Sequence, residues 1–390
     1  MRLTSIAGAH LTYCSNVHPG ESLAEVTSAI ERHVVAVKAR LSPAAPFGVG
    51  LRLSARAADE LVQTERLERF ADELERAGLY VFTLNGFPHG AFHGTRVKEQ
   101  VYRPDWLEAE RVRYTGVLAR VLARLVPEGV PGSISSVPGC FRPRGAEADA
   151  PRRVALNVAR AAADLVRLER ETGRFVALAL EPEPGCLFET TAEAVAFFEE
   201  HLLSAQVREQ VELDEAALRR YVGVCLDTCH ASVEFEEPLS AFQRLERAGI
   251  SVPKIQISAG LRLDPATAER RRALAAFHNE VYFHQTVARD GERLVRFLDL
   301  PEALASDLPE SSEWRVHFHV PIFHDVLGAF SSTQSDLLPL LSALRRAPSC
   351  PHLEVETYTW DVLPERFRDV PLTDAIAREL DWTLAALGQP

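Results

Sequence analysis

Val176-Ala177-Leu178-Ala179-Leu180-Glu181 reads as a strand with two unlike faces. Side chains alternate across a strand, so Val176, Leu178 and Leu180 share one face and Ala177, Ala179 and Glu181 share the other. The run is short and apolar, and Pro182-Glu183-Pro184-Gly185 closes it. Val222-Gly223-Val224-Cys225-Leu226-Asp227 repeats the design, with Gly223, Cys225 and Asp227 opposite the bulky residues. A barrel strand packs one face on helices and turns the other inward, so the leucine and valine face is the helix side.

Outward from these two runs the pattern recurs. Strands are expected at Leu11–Asn16, Phe47–Ser54, Leu79–Pro88, Gly132–Pro138, Phe175–Glu181, Tyr221–Asp227, Lys254–Ser258, Trp314–Val320 and Leu353–Thr357. Helical spacing of apolar residues fills the intervals, at Ala58–Ala77, Trp106–Val126, Val154–Thr172, Thr191–Leu203, around Pro238–Ala248 and at Thr373–Leu387. Such alternation builds parallel βα units. The expected fold is therefore α/β, a (β/α)8 TIM barrel, with residues 1–390 forming a single domain. Nine runs are one too many for it. Leu261–Glu313 (261–313) is read as an insertion after strand seven, a helix plus a hairpin turning at Arg289-Asp290-Gly291-Glu292, near the barrel mouth with His284 close to the pocket. Trp314–Val320 is then either an extra strand or the true seventh.

A net charge of −12 over 390 residues is not suited to neutralising a phosphate backbone, so no nucleic acid is expected as a partner. A small phosphorylated substrate stays open. The six cysteines form no C-x-x-C pair and are read as reduced thiols of a cytoplasmic protein. Met1–Leu11 lacks the apolar run of a signal peptide, and no stretch approaches a membrane span, so no membrane insertion is expected. A homo-oligomer is left open. No Gly-rich dinucleotide fingerprint, P-loop or nucleophile elbow is present in the sequence.

The inward faces carry the chemistry. Glu181, Asp227, Gln256, His319 and Glu356 end different strands on the polar side. One acid at a strand end is ordinarily a helix cap or a rim ion pair. Several charges in a poorly solvated barrel are costly unless a cation sits among them. Oxygen and imidazole donors suit a divalent metal ion: Mn²⁺, Mg²⁺, Co²⁺ or Zn²⁺. Asn85, in Asn85-Gly86-Phe87-Pro88-His89-Gly90, is placed to hydrogen-bond a substrate hydroxyl, with His89 reaching the pocket. Trp360 closes Glu356-Thr357-Tyr358-Thr359-Trp360, where aromatics would wall a sugar ring. Glu234-Phe235-Glu236-Glu237 reads as a solvated loop, and His33, His201 and His352 as surface or satisfied histidines.

Glu181, then Asp227-Thr228-Cys229-His230, then a strand-seven ligand, then Glu356 resembles the xylose-isomerase-like barrel superfamily of sugar isomerases, epimerases and endonuclease IV-like nucleases. The resemblance implies Glu181, Asp227 and Glu356 as metal ligands and His230 as a substrate or second-metal histidine. That superfamily usually has His on strand seven, where this chain has Gln256; His317-Phe318-His319 resembles the D-x-H of the nuclease branch, so either Gln256 or His319 completes the site. Tyr13-Cys14-Ser15-Asn16-Val17-His18-Pro19-Gly20, Thr83–Pro88, His317–Pro321 and Glu356–Trp360 together resemble the EboE "metabolite traffic" family.

The leading functional expectation is a metal-dependent isomerase or epimerase of a sugar or cyclitol, in a secondary-metabolite (ebo-type) pathway. Glu181 and Glu356 would be catalytic, one removing a proton next to a carbonyl and the other returning it, with His230, His317, Asn85, His89 and Trp360 holding substrate. The alternatives are a catalytically silent metabolite-binding barrel and a metal-dependent phosphoesterase.

Overall fold

In chain order the strands are β1 (His10–Tyr13), β2 (Phe47–Arg52), β3 (Leu79–Asn85), β4 (Gly132–Ser136), β5 (Val176–Leu180), β6 (Val222–Asp227), β7 (Lys254–Ile257), β8 (Ala259–Leu263), β9 (Thr286–Asp290), β10 (Arg293–Phe297), β11 (Glu313–Val320), β12 (Val326–Leu327), β13 (Phe330–Ser332) and β14 (His352–Val355). The computed structural model describes residues 1–388 except Ser5, Ala7, Thr95 and Asp369. Eight strands pair in parallel in the order β1-β14-β7-β6-β5-β4-β3-β2. Helices such as Ala109–Leu125, Ala150–Thr172 and Pro238–Arg247 separate consecutive strands and bury their apolar stripes against the outer face. The expected helix Ala58–Ala77 is two, Ala55–Leu61 and Thr64–Arg76, because Gln63 takes an extended conformation between them.

The sheet closes into a barrel between β1 and β2 with little ladder. Cys14 and Gly50 form one isolated parallel bridge. Side chains supply the rest. The Thr12 hydroxyl donates to Gly48 O (2.8 Å) and accepts from Gly50 N (3.0 Å), and Ser15 Oγ accepts from Arg52 N (2.8 Å). A hydroxyl can do both jobs at once, which is why it can replace a backbone pair here.

Inside, the polar parity of the strands brings charge to the barrel axis. Lys254 Nζ lies 2.5 Å from Glu354 Oε2, with both side chains fully buried, and donates to Ser135 Oγ at 3.2 Å. Burial pulls the Lys254 ammonium down, but the Glu354 carboxylate outweighs it and holds the group above its ordinary value. Gly50 makes room for the pair, since a Cβ there would overlap Glu354 Oε1.

Trp314–Val320 is not a barrel strand. It belongs to β11, which pairs antiparallel with β8 and β9 in a second, six-stranded sheet of order β10-β9-β11-β8-β13-β12. The departure from the barrel thus begins at β8, just past Ser258, and ends at β13, a wider span than Leu261–Glu313. Within it lie the helix Ala268–Leu274 and the hairpin β9–β10. Among the described residues no helix is long and apolar enough to cross a membrane.

Candidate active site

Four side chains at the C-terminal ends of the barrel strands and on β11 converge. Asp227 ends β6 and caps the helix Thr228–Val233. Its Oδ1 accepts from His230 N (3.0 Å) and Ser258 Oγ (2.7 Å), and its Oδ2 has no partner. The ordinary role of a strand-end acid is therefore filled by one oxygen, and the other is left over. Glu181 directly follows β5 and presents a bare, buried Oε2. Glu356 follows β14. Its Oε1 accepts from Asn16 Nδ2 (2.6 Å) and Asn85 Nδ2 (3.0 Å), and its Oε2 from Gln256 Nε2 (2.6 Å). His319 donates from Nδ1 to Glu356 O (2.8 Å), which fixes its tautomer and leaves Nε2 a lone pair without a partner.

One oxygen each of Glu181, Asp227 and Glu356 lie within 4.8 Å of one another, as do ligand atoms of Asp227, His230 and His319. Each buried acceptor without a donor costs about 1–3 kcal/mol. Asp227 belongs to both groups, and Glu181 Oε2, Asp227 Oδ2 and His319 Nε2 are buried acceptors without a donor, of the oxygen and imidazole types that divalent ions accept. The residues present fit a divalent metal beside Asp227, with Glu181 and Glu356 in one group of donors and His230 and His319 in the other.

Gln256 does not offer itself as a ligand. A carboxylate can only accept, so the Gln256 amide turns its nitrogen to Glu356, and its carbonyl accepts from Cys225 Sγ at 2.9 Å. It orients Glu356 instead. Asp227→Asn and His319→Leu should leave the purified protein with background metal by elemental analysis, whereas Gln256→Leu should weaken the metal by about 10–100-fold as an outer partner. Full occupancy in His319→Leu together with loss in Gln256→Leu would reverse the assignment.

Burial, then the charges of Glu356 and Asp227, push Glu181 well above the carboxylate range. Glu356 rises for the same reasons, burial first and then Asp227 and Glu354. Burial opposes ionisation of Asp227 too, but His230, His319 and the hydrogen bonds from Ser258 and His230 outweigh it and hold the group low.

Beside these residues stands a second group. His230 Nδ1 donates to Pro182 O (3.0 Å), and His317 Nδ1 donates to Gln285 Oε1 (2.9 Å). Both Nε2 atoms then carry lone pairs, and they face each other at 3.1 Å. Glu183 lies with them, within 4.8 Å. Tyr102 OH donates to Glu183 Oε1 (3.0 Å) and accepts from Gln285 Nε2 (2.9 Å). Burial lowers His230 to about 4 and raises Glu183 to about 8. Glu183 and Asn16 were visible in the sequence as polar residues at strand exits; Tyr102 and Gln285 sit outside any periodic run and carried no signal.

A cavity opens onto both groups, lined by Asn16, Asn85, Glu181, Glu183, His230, His317 and Glu356. Two residues expected to bind substrate do not reach it. His89 turns away, with Nε2 3.4 Å from Glu110 Oε1 and its ring against Tyr114, because the Phe87–Gly90 turn packs on the helix Ala109–Leu125. Trp360 is buried in the main core, and Tyr358 lines the cavity in its place. His284 is buried against Phe318 and is not on the lining, whereas its neighbours Tyr282, Phe283 and Gln285 are.

Among solved structures the chain is similar to a xylose isomerase domain protein from Planctomyces limnophilus, with a TM-score of 0.50, 15% identity, and 90% of this chain and 91% of that one covered. It is also similar to an L-ribulose 3-epimerase, with a TM-score of 0.52, 13% identity, and 97% and 95% covered. The fold is a xylose-isomerase-like TIM barrel. No protein family's sequence profile matches the chain, and no curated protein does. At such low identity the xylose-isomerase-like likeness fixes architecture, and the chemistry has to be argued from the site.

Proposed function

We propose that this barrel is a metal-dependent isomerase or epimerase of a sugar or cyclitol, moving a proton at a carbon next to a carbonyl. The observation that supports it most is the pair of carboxylates bordering one cavity, one bare and one clamped. Glu181 has a free Oε2, while Glu356 is held by the amides of Asn16, Asn85 and Gln256. A divalent ion in the Glu181, Asp227, His319 and Glu356 set would polarise a substrate carbonyl. Glu181 takes the proton from one face of the carbon, and Glu356, its plane fixed by three amides, serves the other. His230 and His317 bind substrate hydroxyls through Nε2.

The narrower reading, an EboE-type protein in a secondary-metabolite pathway, draws on the four short strings. Each of them contributes to the site: Asn16, Asn85, His317 with His319, and Glu356 with Tyr358. Incubation in D₂O with keto-sugars and cyclitols, followed by NMR, tests the chemistry: solvent deuterium should enter the substrate carbon. No exchange across a broad panel would leave a ligand-binding barrel.

One observation favours a second reading, a metal-dependent phosphoesterase. Glu183, His230 and His317 form a further group able to hold a cation, and hydrolases commonly use more than one. Against it, Lys98 is the only Lys or Arg among the described lining residues, and it is already paired with Asp299. Zinc-dependent hydrolysis of bis(4-nitrophenyl) phosphate would support it.

A further inference from the structure

We propose that the ligand of this cavity is uncharged and carries an apolar group of about ring size beside its hydroxylated part. This rests on the proton-transfer reading for where the hydroxylated part sits.

The polar residues of the cavity form two hydrogen-bonded groups, Asn16, Asn85 and Glu356 in one, His230, His317, Gln285, Tyr102 and Glu183 in the other. Apart from Glu181 and the ion-paired Lys98, the rest of the wall is built largely from apolar and aromatic side chains. Phe92, Val97 and Tyr282 make a cluster separate from the main core, with Val101 and Tyr358 packed on it. The rings of Phe92, Tyr282 and Tyr358 close a triangle with centroids 5.2–5.3 Å apart. The Tyr282 hydroxyl is spent on Phe92 O at 2.9 Å, so this residue offers the cavity its ring and no free donor. Such a wall leaves a sugar hydroxyl unpartnered and rewards an apolar group.

Charge argues in the same direction. Lys98 is the only lining Lys or Arg among the described residues. Its Nζ lies 2.7 Å from Asp299 Oδ2 and 3.8 Å from Glu280 Oε2, and it is buried. A phosphate or carboxylate on the ligand would find no unpaired side-chain cation and would face Glu181, Glu183 and Glu356. The open expectation of a phosphorylated substrate is answered by this pairing. The aromatic wall comes from Phe92 and the excursion after β7, and the neighbouring Val97 N and Lys98 N both donate to Val281 O of that excursion.

Calorimetric titration of the full chain with Mn²⁺ present tests this, using myo-inositol, O-benzyl-myo-inositol and myo-inositol 1-phosphate as probes. Burying a phenyl ring should make the benzyl ether bind about tenfold or more tightly than inositol, at roughly 25 cal/mol per Å² of apolar surface. The phosphate should bind no more tightly than inositol. Phe92→Ala should erase the benzyl advantage and leave inositol affinity unchanged, with folding checked by circular dichroism; Tyr282→Phe, which keeps the ring, should retain the advantage. Equal affinity for inositol and its ether, preference for the phosphate, or no binding of any probe overturns the proposal. Preference for the ether without solvent exchange would count against proton transfer alone, and exchange without that preference against this proposal alone.

Discussion

Glu181→Gln should slow the incorporation of solvent deuterium into substrate by about 10²–10⁴-fold, the usual worth of a positioned general base. The fold should survive, because Gln matches Glu in size and Glu181 Oε2 has no hydrogen bond to lose. Stability should hold or rise, since one of three mutually repelling carboxylates is removed from a buried cluster. Glu356→Gln should behave differently. Its carboxylate accepts from three amides, and an amide in its place must set a donor against a donor. That variant should lose exchange and also about 1–3 kcal/mol of stability. Denaturant melts and NMR exchange rates on both proteins separate the two roles. Exchange in Glu181→Gln within tenfold of wild type would remove that residue from the mechanism.

Lys254→Met should destabilise the barrel by about 3–5 kcal/mol, read as a lower denaturant midpoint. The substitution leaves Glu354 fully buried with its counter-charge gone, and Glu354 already has no hydrogen-bond donor other than that ion pair. The double variant Lys254→Met with Glu354→Leu should recover most of the loss, because an apolar pair of similar volume carries no desolvation penalty. Equal losses in the single and double variants would mean that packing, and not the stranded charge, is what Lys254 supplies.

The barrel was legible because burial on its inner face imposes a period of two. That period placed the parallel strands and put Glu181, Asp227 and Glu356 at one end of them. The same signal misled at Trp314–Val320. Both faces of β11 are buried, His317 and His319 on one and Val316 and Phe318 on the other, so it alternates like a barrel strand while pairing in another sheet. Alternation reports burial and is silent about the neighbour. It also gave Lys254 and Glu354 an inward direction without showing that they meet, since the whole second sheet lies between β7 and β14 in the sequence. Gln256 could not be told from a ligand because the choice lies in one amide's orientation. His89 and Trp360 lie past the ends of strands, where no periodicity constrains direction. Lys98 and Asp299 pair at a separation of 201 residues, at which local pattern says nothing.

The closing of β1 has a consequence for how the protein is made. Chains leave the ribosome N-terminus first, at about 5–20 residues per second. Strands β2 to β6 can find parallel partners soon after they emerge, because their neighbours in the sheet are their neighbours in sequence. β1 cannot: its one extended ladder is with β14, and its other edge has only the Thr12 and Ser15 hydroxyls and a single bridge. The Asn16–Glu356 contact, 340 residues apart, must wait equally long, roughly twenty seconds to a minute of synthesis. Throughout that interval the nascent chain carries an unpaired sheet edge, which is a template for wrong pairing. The carboxylate cluster assembles only when the last strand is out, so the nascent protein gains its pocket in one late step.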